Sequence, residues 1–385
     1  MKKEYNIARG KPSKEQLDLS NEMVLKPIDS FISEEGIDIR NYGSLEGLKE
    51  ARKLLADLVN TDYQNVIVYG SSSLNIMFDL ISHSFIHGVL GNEPWCKLDK
   101  IKWLCPVPGY DRHYKILEYF NIEMINVPLL EDGPDMDVVE ELIKDKEVKG
   151  IWCVPKYSNP TGCIYSNKTL KRLVSMKPAA KDFRIYYDNA YSVHDLYEEI
   201  EIPDIIALAK ENGNPNIVYE FMSTSKITFA GSGLAGLATS PDNFEDIKKS
   251  LSYRIIGHNK INQIHHVKFL KDINHIKVHM KKHAEILRPK FLAVEEIFNS
   301  RIVKYASWSK PKGGYFITLY VDGLAKEVIE ECKNRGLTLT EAGCAFPYHH
   351  DPSNSVIRIA PSFLDLEELK EAINILCDVI IDLNK

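Results

Sequence analysis

The feature that most constrains the fold is an alternation of short apolar runs with helical segments between about residues 65 and 240. The runs that predict strands are at residues 66–69, 101–104, 122–127, 150–154, 184–187 and 217–221. Helical patterns lie between them, for example at 74–85 and 114–119. Strands separated by helices form βαβ units, which give a mostly parallel sheet. The sequence therefore predicts an α/β fold in which ligands bind at the carboxyl ends of the strands.

The rest of the chain predicts a second, smaller domain. A long polar helical pattern at about 260–287, ending before Pro289, would connect the two domains. Beyond it the pattern is α+β, with strands at 314–320 and 356–359 and helices at 324–335 and 365–383. A chain of 385 residues is long enough for two domains. We predict an N-terminal segment at 1–45 that joins the small domain, a large domain at 46–287 and a small domain at 288–385.

Composition excludes several classes of partner. The net charge is -6 and no long Lys/Arg block occurs, which argues against a nucleic-acid-binding surface. Seven cysteines, an odd number without a Cys-x-x-Cys pair, predict reduced thiols in a cytoplasm. The first residues lack the apolar core of a signal peptide, and no stretch is as long as a membrane span. We therefore expect a cytoplasmic protein with no nucleic-acid or membrane partner.

Polar residues stand where the predicted strands end. Asn-Pro-Thr-Gly at 159–162, Asp188-Asn189-Ala190-Tyr191 and Ser-Thr-Ser-Lys at 223–226 follow three successive strands. A lysine amine, a carboxylate and hydrogen-bond donors are what pyridoxal 5'-phosphate (PLP) needs for its Schiff base, ring nitrogen and ring oxygen. Gly-Ser-Ser-Ser at 70–73 lies between a strand and a helix, where backbone amides bind phosphate. The pattern predicts a PLP site.

An ordered set of motifs along nearly the whole chain carries a family resemblance. The set comprises Tyr42-Gly43 with Gly47, residues 70–73, Pro108-Gly109-Tyr110, residues 159–162, residues 188–191, residues 223–226, Lys312-Gly313-Gly314-Tyr315-Phe316 and Arg358. It resembles the fold-type I, class I/II PLP-dependent aminotransferases. Residues 8–13 (Ala-Arg-Gly-Lys-Pro-Ser) and 223–228 look like the atypical, MocR-like group of aspartate aminotransferases. The resemblance implies a mostly parallel, seven-stranded-type sheet in the large domain.

The resemblance also implies a role for each matching residue. Lys226 would form the Schiff base and then move the substrate's α-proton. Asp188 would pair with the ring nitrogen, Tyr191 and Asn159 would hydrogen-bond the ring oxygen, and Tyr110 would stack on the ring. Taken singly, these residues also suit ordinary roles, as a surface lysine, a helix cap, a turn and a core tyrosine.

For the cofactor phosphate, the resemblance implies a cradle of amides and hydroxyls from Ser71, Ser72, Ser73, Ser223 and Ser225. A serine N-cap is the alternative for the first three. Tyr42 would reach the phosphate of a neighbouring subunit, so the active unit would be a homodimer with shared sites. In the family an arginine follows the lysine by about a dozen residues, where this chain has Ala238. The group that replaces this arginine is left open.

Substrate recognition is implied for Arg358 and Asn159. Arg358 lies in an apolar strand and would hold the substrate α-carboxylate through two hydrogen bonds; a structural ion pair is the alternative. Five residues are candidates for binding a second, side-chain carboxylate, namely Arg9, Lys11, Arg254, Asn259 and Lys260.

The resulting prediction is a PLP-dependent aminotransferase that works by a ping-pong mechanism. It would move an amino group from an L-amino acid, aspartate above all, to a 2-oxo acid such as 2-oxoglutarate. A PLP-dependent lyase or decarboxylase on the same fold remains an alternative. So does a non-catalytic regulatory module, although too few residues precede Tyr42 for a DNA-binding domain and linker.

Two further patterns favour other chemistry. Residues 223–226 match the Ser-x-x-Lys motif of serine acyl-enzymes, but the strings Ser-Asp-Asn and Lys-Thr-Gly are absent from the sequence. His275, His279 and His283 share one helix face, as metal ligands can. Ile276 stands where a catalytic zinc motif has glutamate, so we expect a mixed basic face, shared with lysines at 277, 281 and 282, and no metal site.

Overall fold

The computed structural model describes residues 3–385, so Met1 and Lys2 of the predicted N-terminal segment lie outside the described residues. The strands are β1 (Tyr5–Asn6), β2 (Val66–Val68), β3 (Lys102–Val107), β4 (Glu123–Leu130), β5 (Gly133–Pro134), β6 (Val148–Cys153), β7 (Arg184–Asp188), β8 (Val218–Ser223), β9 (Ala235–Thr239), β10 (Ala306–Trp308), β11 (Ile317–Val321), β12 (Leu337–Thr338) and β13 (Val356–Ile359). The helices are α1 (Lys14–Asp18), α2 (Glu22–Leu25), α3 (Lys49–Val59), α4 (Ser73–His87), α5 (Asp111–Tyr119), α6 (Met136–Leu142), α7 (Asn167–Ser175), α8 (Ile205–Glu211), α9 (Pro241–Ser252), α10 (Lys260–Leu270), α11 (Ile273–Arg301), α12 (Ala325–Asn334) and α13 (Leu366–Leu383).

The main sheet has the strand order β2-β9-β8-β7-β6-β3-β4-β5. Strands β4, β3, β6, β7 and β8 are parallel to their neighbours in that series, whereas β9 runs antiparallel to both β8 and β2. Seven strands form the body of the sheet, and the two-residue β5 extends its edge. This confirms the predicted α/β class and the mostly parallel sheet. Strand β9 was not predicted from the sequence.

Both faces of the main sheet are buried. Val66 and Val68 of β2 pack in one core, and Ile67 between them packs in the other. Leu104 and Trp103 of β3 divide between the same two cores. Because successive side chains of a strand point to opposite faces, a sheet covered by helices on both sides requires continuous apolar strands. That requirement explains the unbroken apolar runs in the sequence.

The predicted long helix at 260–287 is wrong in two respects. It is two helices, because the backbone of Lys271 has a positive φ (59°, with ψ -70°) that ends α10. Asp272 then accepts a hydrogen bond from the backbone N–H of His275 at 2.9 Å and begins α11. Helix α11 also continues through Pro289 to Arg301. The proline removes one backbone donor, but apolar residues on both sides of it pack in the second core and hold the helix together.

The second core lies around an antiparallel sheet of order β10-β11-β13, with α12, α13 and the carboxyl half of α11. The N-terminal segment contributes to both cores: Tyr5 and Ile7 pack in the second, whereas Ile39 packs with the main sheet. Strand β1 pairs in parallel with β12. The predicted boundaries of the N-terminal segment, the large domain and the small domain stay a prediction. Between Lys3 and Lys385 no helix has the length and apolar character needed to cross a membrane.

Candidate active site

The carboxyl ends of the central strands bring most of the predicted site residues together. Asp188 ends β7 and is buried, and Tyr191 follows it. The Lys226 Nζ atom, three residues beyond β8, lies 4.9 Å from the centroid of the Tyr191 ring. The Asn159 Oδ1 atom accepts a hydrogen bond from Nη1 of Arg358 at 3.4 Å, which joins the main sheet to β13. The charges of Asp188 and Arg358 both act on the pKa of the Tyr191 phenol, which burial raises well above its usual value. The five residues therefore surround one region between the two cores, which we call the cleft.

Lys226 has the environment of a reactive lysine. Burial lowers the pKa of its amine below the usual range, and the nearby Asp188 carboxylate partly opposes this effect. Apart from the Tyr191 ring, its Nζ has no hydrogen-bond or ion-pair partner among residues 3–385. A lysine amine with a lowered pKa is a better nucleophile and proton carrier at neutral pH than an exposed one.

Asp188 is held by a residue that the sequence reasoning missed. The His113 Nε2 atom lies 3.0 Å from Asp188 Oδ2, and since a carboxylate only accepts, the ring N–H donates. The His113 ring in turn stacks on Trp152, with centroids 4.2 Å apart and an interplanar angle of 11°. Spacing could have indicated His113, because it lies three residues after Tyr110 on the same helical turn. The other Asp188 oxygen, Oδ1, is buried without a hydrogen-bond partner in the described chain.

Tyr110 lies beside this group. Its ring packs edge-on against His113, with centroids 4.9 Å apart. Burial, with the negative charges of Asp111 and Asp188, raises the pKa of its phenol to about 12. The phenol is therefore neutral at physiological pH.

The predicted phosphate cradle occupies the start of α4. Ser72 is the N-cap residue, but its side chain makes no capping hydrogen bond, so the plain serine N-cap interpretation is not observed. From the opposite side, the Ser225 hydroxyl donates to the Ser71 carbonyl at 3.4 Å. A side chain on Gly233 would clash there, since its Cβ would lie 2.8 Å from Ser225 Oγ and 3.1 Å from the Ser71 carbonyl oxygen. The two loops thus approach each other closely because residue 233 is glycine.

Ala238 is not where the missing arginine would act. It lies inside β9, paired with Val66 of β2, and is fully buried in the core. The residues next to the Ser71–Ser225 contact are Gly233 and the buried Leu234, five and four residues earlier. The sequence prediction located the arginine position by counting residues after Lys226. In the structure residue 238 lies within β9, and the residues near the Ser71–Ser225 contact come earlier in the chain. Neither residue supplies a positive charge.

Arg358 is positioned from three sides. Its Nη1 forms an ion pair with Asp111 at 2.7 Å as well as the hydrogen bond to Asn159, and its guanidinium lies 5.3 Å from the centroid of the Phe316 ring. Its Nε atom is buried and has no acceptor within the described residues. The structural ion pair considered from the sequence is therefore present, with Asp111 as its partner. One edge of the guanidinium still remains available for a carboxylate.

The other predicted residues lie elsewhere or have partners. The Tyr42 side chain is 79% exposed and makes no contact with the cleft of its own chain. The Arg254 guanidinium pairs with Asp79 at 2.7 Å, and Lys260 Nζ donates to the Gly43 carbonyl at 3.0 Å. Two further candidates also have structural roles, because Asn259 caps α10 and Lys11 Nζ lies over the Phe363 ring.

The prediction of a mixed basic face does not hold for two of the three histidines. His279 and His283 are buried, because this side of α11 packs against the segment that follows Lys226. Their Nε2 atoms lie 3.2 Å apart. Only His275, paired with Asp272, lies at the surface. No group of three or more His, Cys, Asp or Glu side chains between residues 3 and 385 could hold a metal ion.

The residues present fit PLP. Two of the buried polar atoms that have no partner within the described residues belong to the site, and they are an acceptor, Asp188 Oδ1, and a donor, Arg358 Nε. An acceptor suits a protonated pyridine nitrogen, and a guanidinium donor suits a substrate carboxylate. The amine with a lowered pKa and the amides of α4 complete the set that this cofactor requires.

Comparison with known proteins decides the family. Residues 2–383 match the family model described as "Aspartate amino-transferase". The chain belongs to this aminotransferase family. It is 47% identical over 375 residues to an aspartate aminotransferase from Corynebacterium glutamicum, covering 96% of this chain and 87% of that one. It is also 47% identical over 378 residues to a putative aminotransferase from Mycolicibacterium smegmatis, covering 96% and 88%.

The fold of the aminotransferase agrees with a solved relative. The crystal structure of an aspartate transaminase from Corynebacterium glutamicum superposes with a TM-score of 0.97 at 45% identity, covering 99% of this chain and 91% of that one. Aminotransferases of this family use PLP, and the predicted cofactor is confirmed. The predicted enzyme class is confirmed as well, so the lyase and regulatory alternatives are not needed.

Proposed function

We propose that the protein is an aspartate aminotransferase, which moves the amino group of L-aspartate to a 2-oxo acid such as 2-oxoglutarate in two half-reactions. The observation that carries this proposal is one cleft holding both a lysine amine with a lowered pKa and a guanidinium with a free edge. The first suits transfer of the α-proton, and the second suits the α-carboxylate of an amino acid. The name of the Corynebacterium relative supports aspartate.

Each residue of the cleft would have a defined task. When bound, PLP supplies an electron sink that makes the α-C–H bond of an amino acid acidic. Asp188 would hold the ring nitrogen protonated, with His113 fixing the orientation of its carboxylate. Asn159 and Tyr191 would donate hydrogen bonds to the ring oxygen, and Tyr110 would cover the ring. Lys226 Nζ would hold the cofactor and, once free, take the substrate's α-proton and return it.

Arg358 would orient the substrate. The ion pair with Asp111 and the Phe316 ring hold the guanidinium, so its rotamer is set before substrate arrives. A carboxylate on its free edge would be fixed by two parallel hydrogen bonds. Such fixation places the α-C–H bond in one direction, which is the positional part of catalysis.

Arg9 would bind the side-chain carboxylate. Of the five candidates it alone has no ion pair, hydrogen bond or ring contact through its side chain anywhere in residues 3–385. Its neighbour Gly10 packs on the ring that lies against Arg358, since a Cβ there would be 2.5 Å from Phe316 Cζ. The carbonyl of Ile7 accepts from the Ala360 amide, two residues beyond Arg358. An unpaired cation beside the α-carboxylate site suits a dicarboxylic amino acid.

The active unit would be a cytoplasmic homodimer in which Tyr42 reaches the phosphate of the partner's cofactor. The exposed side chains of Tyr42 and Ile256 flank a close contact, in which a Cβ on Gly257 would lie 2.3 Å from the Gly43 carbonyl oxygen. Exposed apolar side chains around a rigid backbone contact favour an interface. All seven cysteines are free, as expected for a reducing compartment.

The dimer can be tested by mixing two inactive variants. Lys226→Ala lacks the amine, and Tyr42→Ala lacks the phenol, so a mixed dimer would contain one complete site. Random reassociation should recover about a quarter of the native activity per subunit, because half of the dimers are mixed and each has one working site. No recovery by a mixture that sediments as dimers would contradict a shared site.

The proposed activity is tested by adding single amino acids to the PLP-loaded protein without a 2-oxo acid. L-Aspartate and L-glutamate should convert the visible absorbance band to the ultraviolet band of the aminated cofactor. L-Alanine and aromatic amino acids should do so far more slowly. Preference for another amino acid would refute the aspartate assignment, and a band that no amino acid converts would refute transamination.

A further inference from the structure

A buried polar cluster surrounds the backbone at Lys226 and Ile227. Its members come from the N-terminal segment, the loop after β7, helix α11 and the small domain. They are Gln16, Ser20, His194, His279, His283 and Tyr315, and each is less than a tenth exposed. The proposed reaction assigns none of them a role.

The cluster holds the two peptide carbonyls at the lysine. The Lys226 carbonyl oxygen lies 3.3 Å from His194 Nε2 and accepts from the Tyr315 hydroxyl at 3.5 Å. The next carbonyl, of Ile227, lies 2.8 Å from His279 Nε2 and accepts from the Ser20 hydroxyl at 3.5 Å. Because hydrogen bonds hold both carbonyls, the backbone from which the Lys226 side chain extends has one fixed position.

Gln16 links the two halves of the cluster. Its Nε2 donates to the Tyr315 hydroxyl at 2.8 Å and lies 3.1 Å from His283 Nδ1, and His283 Nε2 lies 3.2 Å from His279 Nε2. The Ser13 amide donates to Gln16 Oε1 at 3.1 Å, which fixes the orientation of the side-chain amide. The two protons of the Gln16 amide are therefore directed at the Tyr315 hydroxyl and at His283 Nδ1, which accepts. Since His283 then carries its own proton on Nε2, and His279 donates from Nε2 to the Ile227 carbonyl, the approach of the two histidine Nε2 atoms is a packing contact and not a hydrogen bond.

The cluster lies at the boundary between the two cores. On helix α11, Met280 packs with the main sheet, whereas Ala284, one turn later, packs in the second core. His279 and His283, also one turn apart, lie beside this change from one core to the other. Tyr315 belongs to the second core, and Ile227 belongs to the first. Directional hydrogen bonds thus join the lysine segment to the small domain where apolar packing changes from one core to the other.

The histidines of the cluster are neutral at physiological pH. Burial lowers the pKa of His283 to about 3, lowers that of His279, and lowers that of His194 well below its usual range. Neutral imidazoles hold the backbone without adding positive charge beside the Lys226 amine. A charged cluster at this distance would instead oppose protonation of that amine.

We propose that Gln16, His279 and His283 are positioning residues for Lys226, which transmit the placement of the N-terminal segment and the small domain to the backbone that carries the amine. The inference rests on the proposed role of Lys226 in the function above. Because Arg358 and Asn159 lie outside the cluster, loss of the cluster should slow proton transfer and leave substrate binding intact.

The test uses Gln16→Leu and His283→Leu in the PLP-loaded full-length enzyme, with Met280→Leu as the matched control. Met280 is buried on α11 between His279 and His283 and packs in the core of the main sheet, so its replacement conserves volume and removes no hydrogen bond of the cluster. Single-turnover rates with L-aspartate, the KM, the pH midpoint of the visible absorbance band and Tm are measured for each.

Misplacement of a catalytic group by about 1 Å can lower the rate by 10²-fold, so we expect the cluster variants to lose roughly tenfold or more in rate. Their KM should stay within about twofold of native, and their pH midpoint should shift, while the control changes neither.

Tyr315→Phe provides a second test that removes only one hydroxyl. Combined with Gln16→Leu it should cost less than the sum of the two single changes, because both act on the same hydrogen-bonded chain. Native rates and an unshifted pH midpoint in folded variants would overturn the inference. Additive rate effects of Tyr315→Phe and Gln16→Leu would also overturn it, as would a loss of rate that only follows the loss of Tm. If the native protein itself lacked the visible band, the proposed function would fail first, which separates the two hypotheses.

Discussion

Replacement of Asp188 by asparagine would test the electrostatic centre of the site with almost no change of shape. The N–H of His113 donates to Asp188 Oδ2 at 3.0 Å, and the stack on Trp152 fixes the imidazole. In Asp188→Asn the amide oxygen would keep this hydrogen bond, so the NH2 group would take the place of the free Oδ1. A donor there cannot accept from a pyridinium N–H, and the ring nitrogen would lose its proton.

The expected cost follows from the interaction that is lost. Removing one preorganised electrostatic partner from an active site lowers the rate by about 10²–10³-fold. A hydrogen bond to a charged group contributes about 1.5–3 kcal/mol, which corresponds to about ten- to 150-fold and gives the lower limit. We therefore expect the half-reaction with L-aspartate to slow by about 10²–10³-fold in a folded protein that still binds PLP.

The assay is single-turnover conversion of the visible absorbance band, normalised to bound cofactor. Asp182→Asn is the matched control, since Asp182 is also a buried carboxylate, just before β7, with Trp95 and Lys149 as partners at 2.7 and 2.8 Å. It should lose stability and keep its rate per bound cofactor. A rate for Asp188→Asn within about threefold of native would show that another acid serves the ring nitrogen, and the assignment would be wrong.

Three other substitutions have defined outcomes. Lys226→Ala should abolish both the visible band and turnover, and transamination near the native rate would contradict its role. Arg358→Lys should lower kcat/KM for all amino acids by about ten- to 150-fold, because it loses one of two charge-assisted hydrogen bonds, each worth about 1.5–3 kcal/mol. Unchanged kinetics would contradict the binding of the substrate α-carboxylate by Arg358. Arg9→Ala should lower kcat/KM for L-aspartate at least about tenfold and leave kcat/KM for L-alanine unchanged. The control is Lys14→Ala, which removes an exposed cation on α1 and should change neither value. An equal loss for both amino acids would exclude Arg9 as the side-chain reader.

The sheet and the convergence of the site could be predicted because they depend on local patterns. Apolar runs mark the buried strands, and parallel strands bring their carboxyl ends to one edge, so Asp188 and Lys226 had to be neighbours. The placement of Arg358 beside Asn159 depends on how the second core sits on the first. No spacing along the chain encodes that arrangement, and only the family resemblance indicated it.

The missed features depend on packing in three dimensions. Strand β9 contains two alanines and a glycine, which have low β propensity, and it forms because β2 and β8 pair with it on both sides. Periodicity placed His279 and His283 on one helix face but could not tell which face is buried. Asp272, in contrast, is an N-cap whose signal was present in the sequence, so the break before α11 could have been predicted.

The pairing of β2 with β9 has a consequence for synthesis of the chain. Val66 pairs with Ala238, and the amide of Ala235 donates to the Gly70 carbonyl at 2.9 Å, so the loop before α4 is held by the last strand of the main sheet. The loop can therefore form these contacts only after residues up to Thr239 have left the ribosome. Contacts between such distant segments form late in folding. The nascent protein should be unable to capture its cofactor until the whole large sheet has emerged, so cofactor capture would report the completion of that sheet.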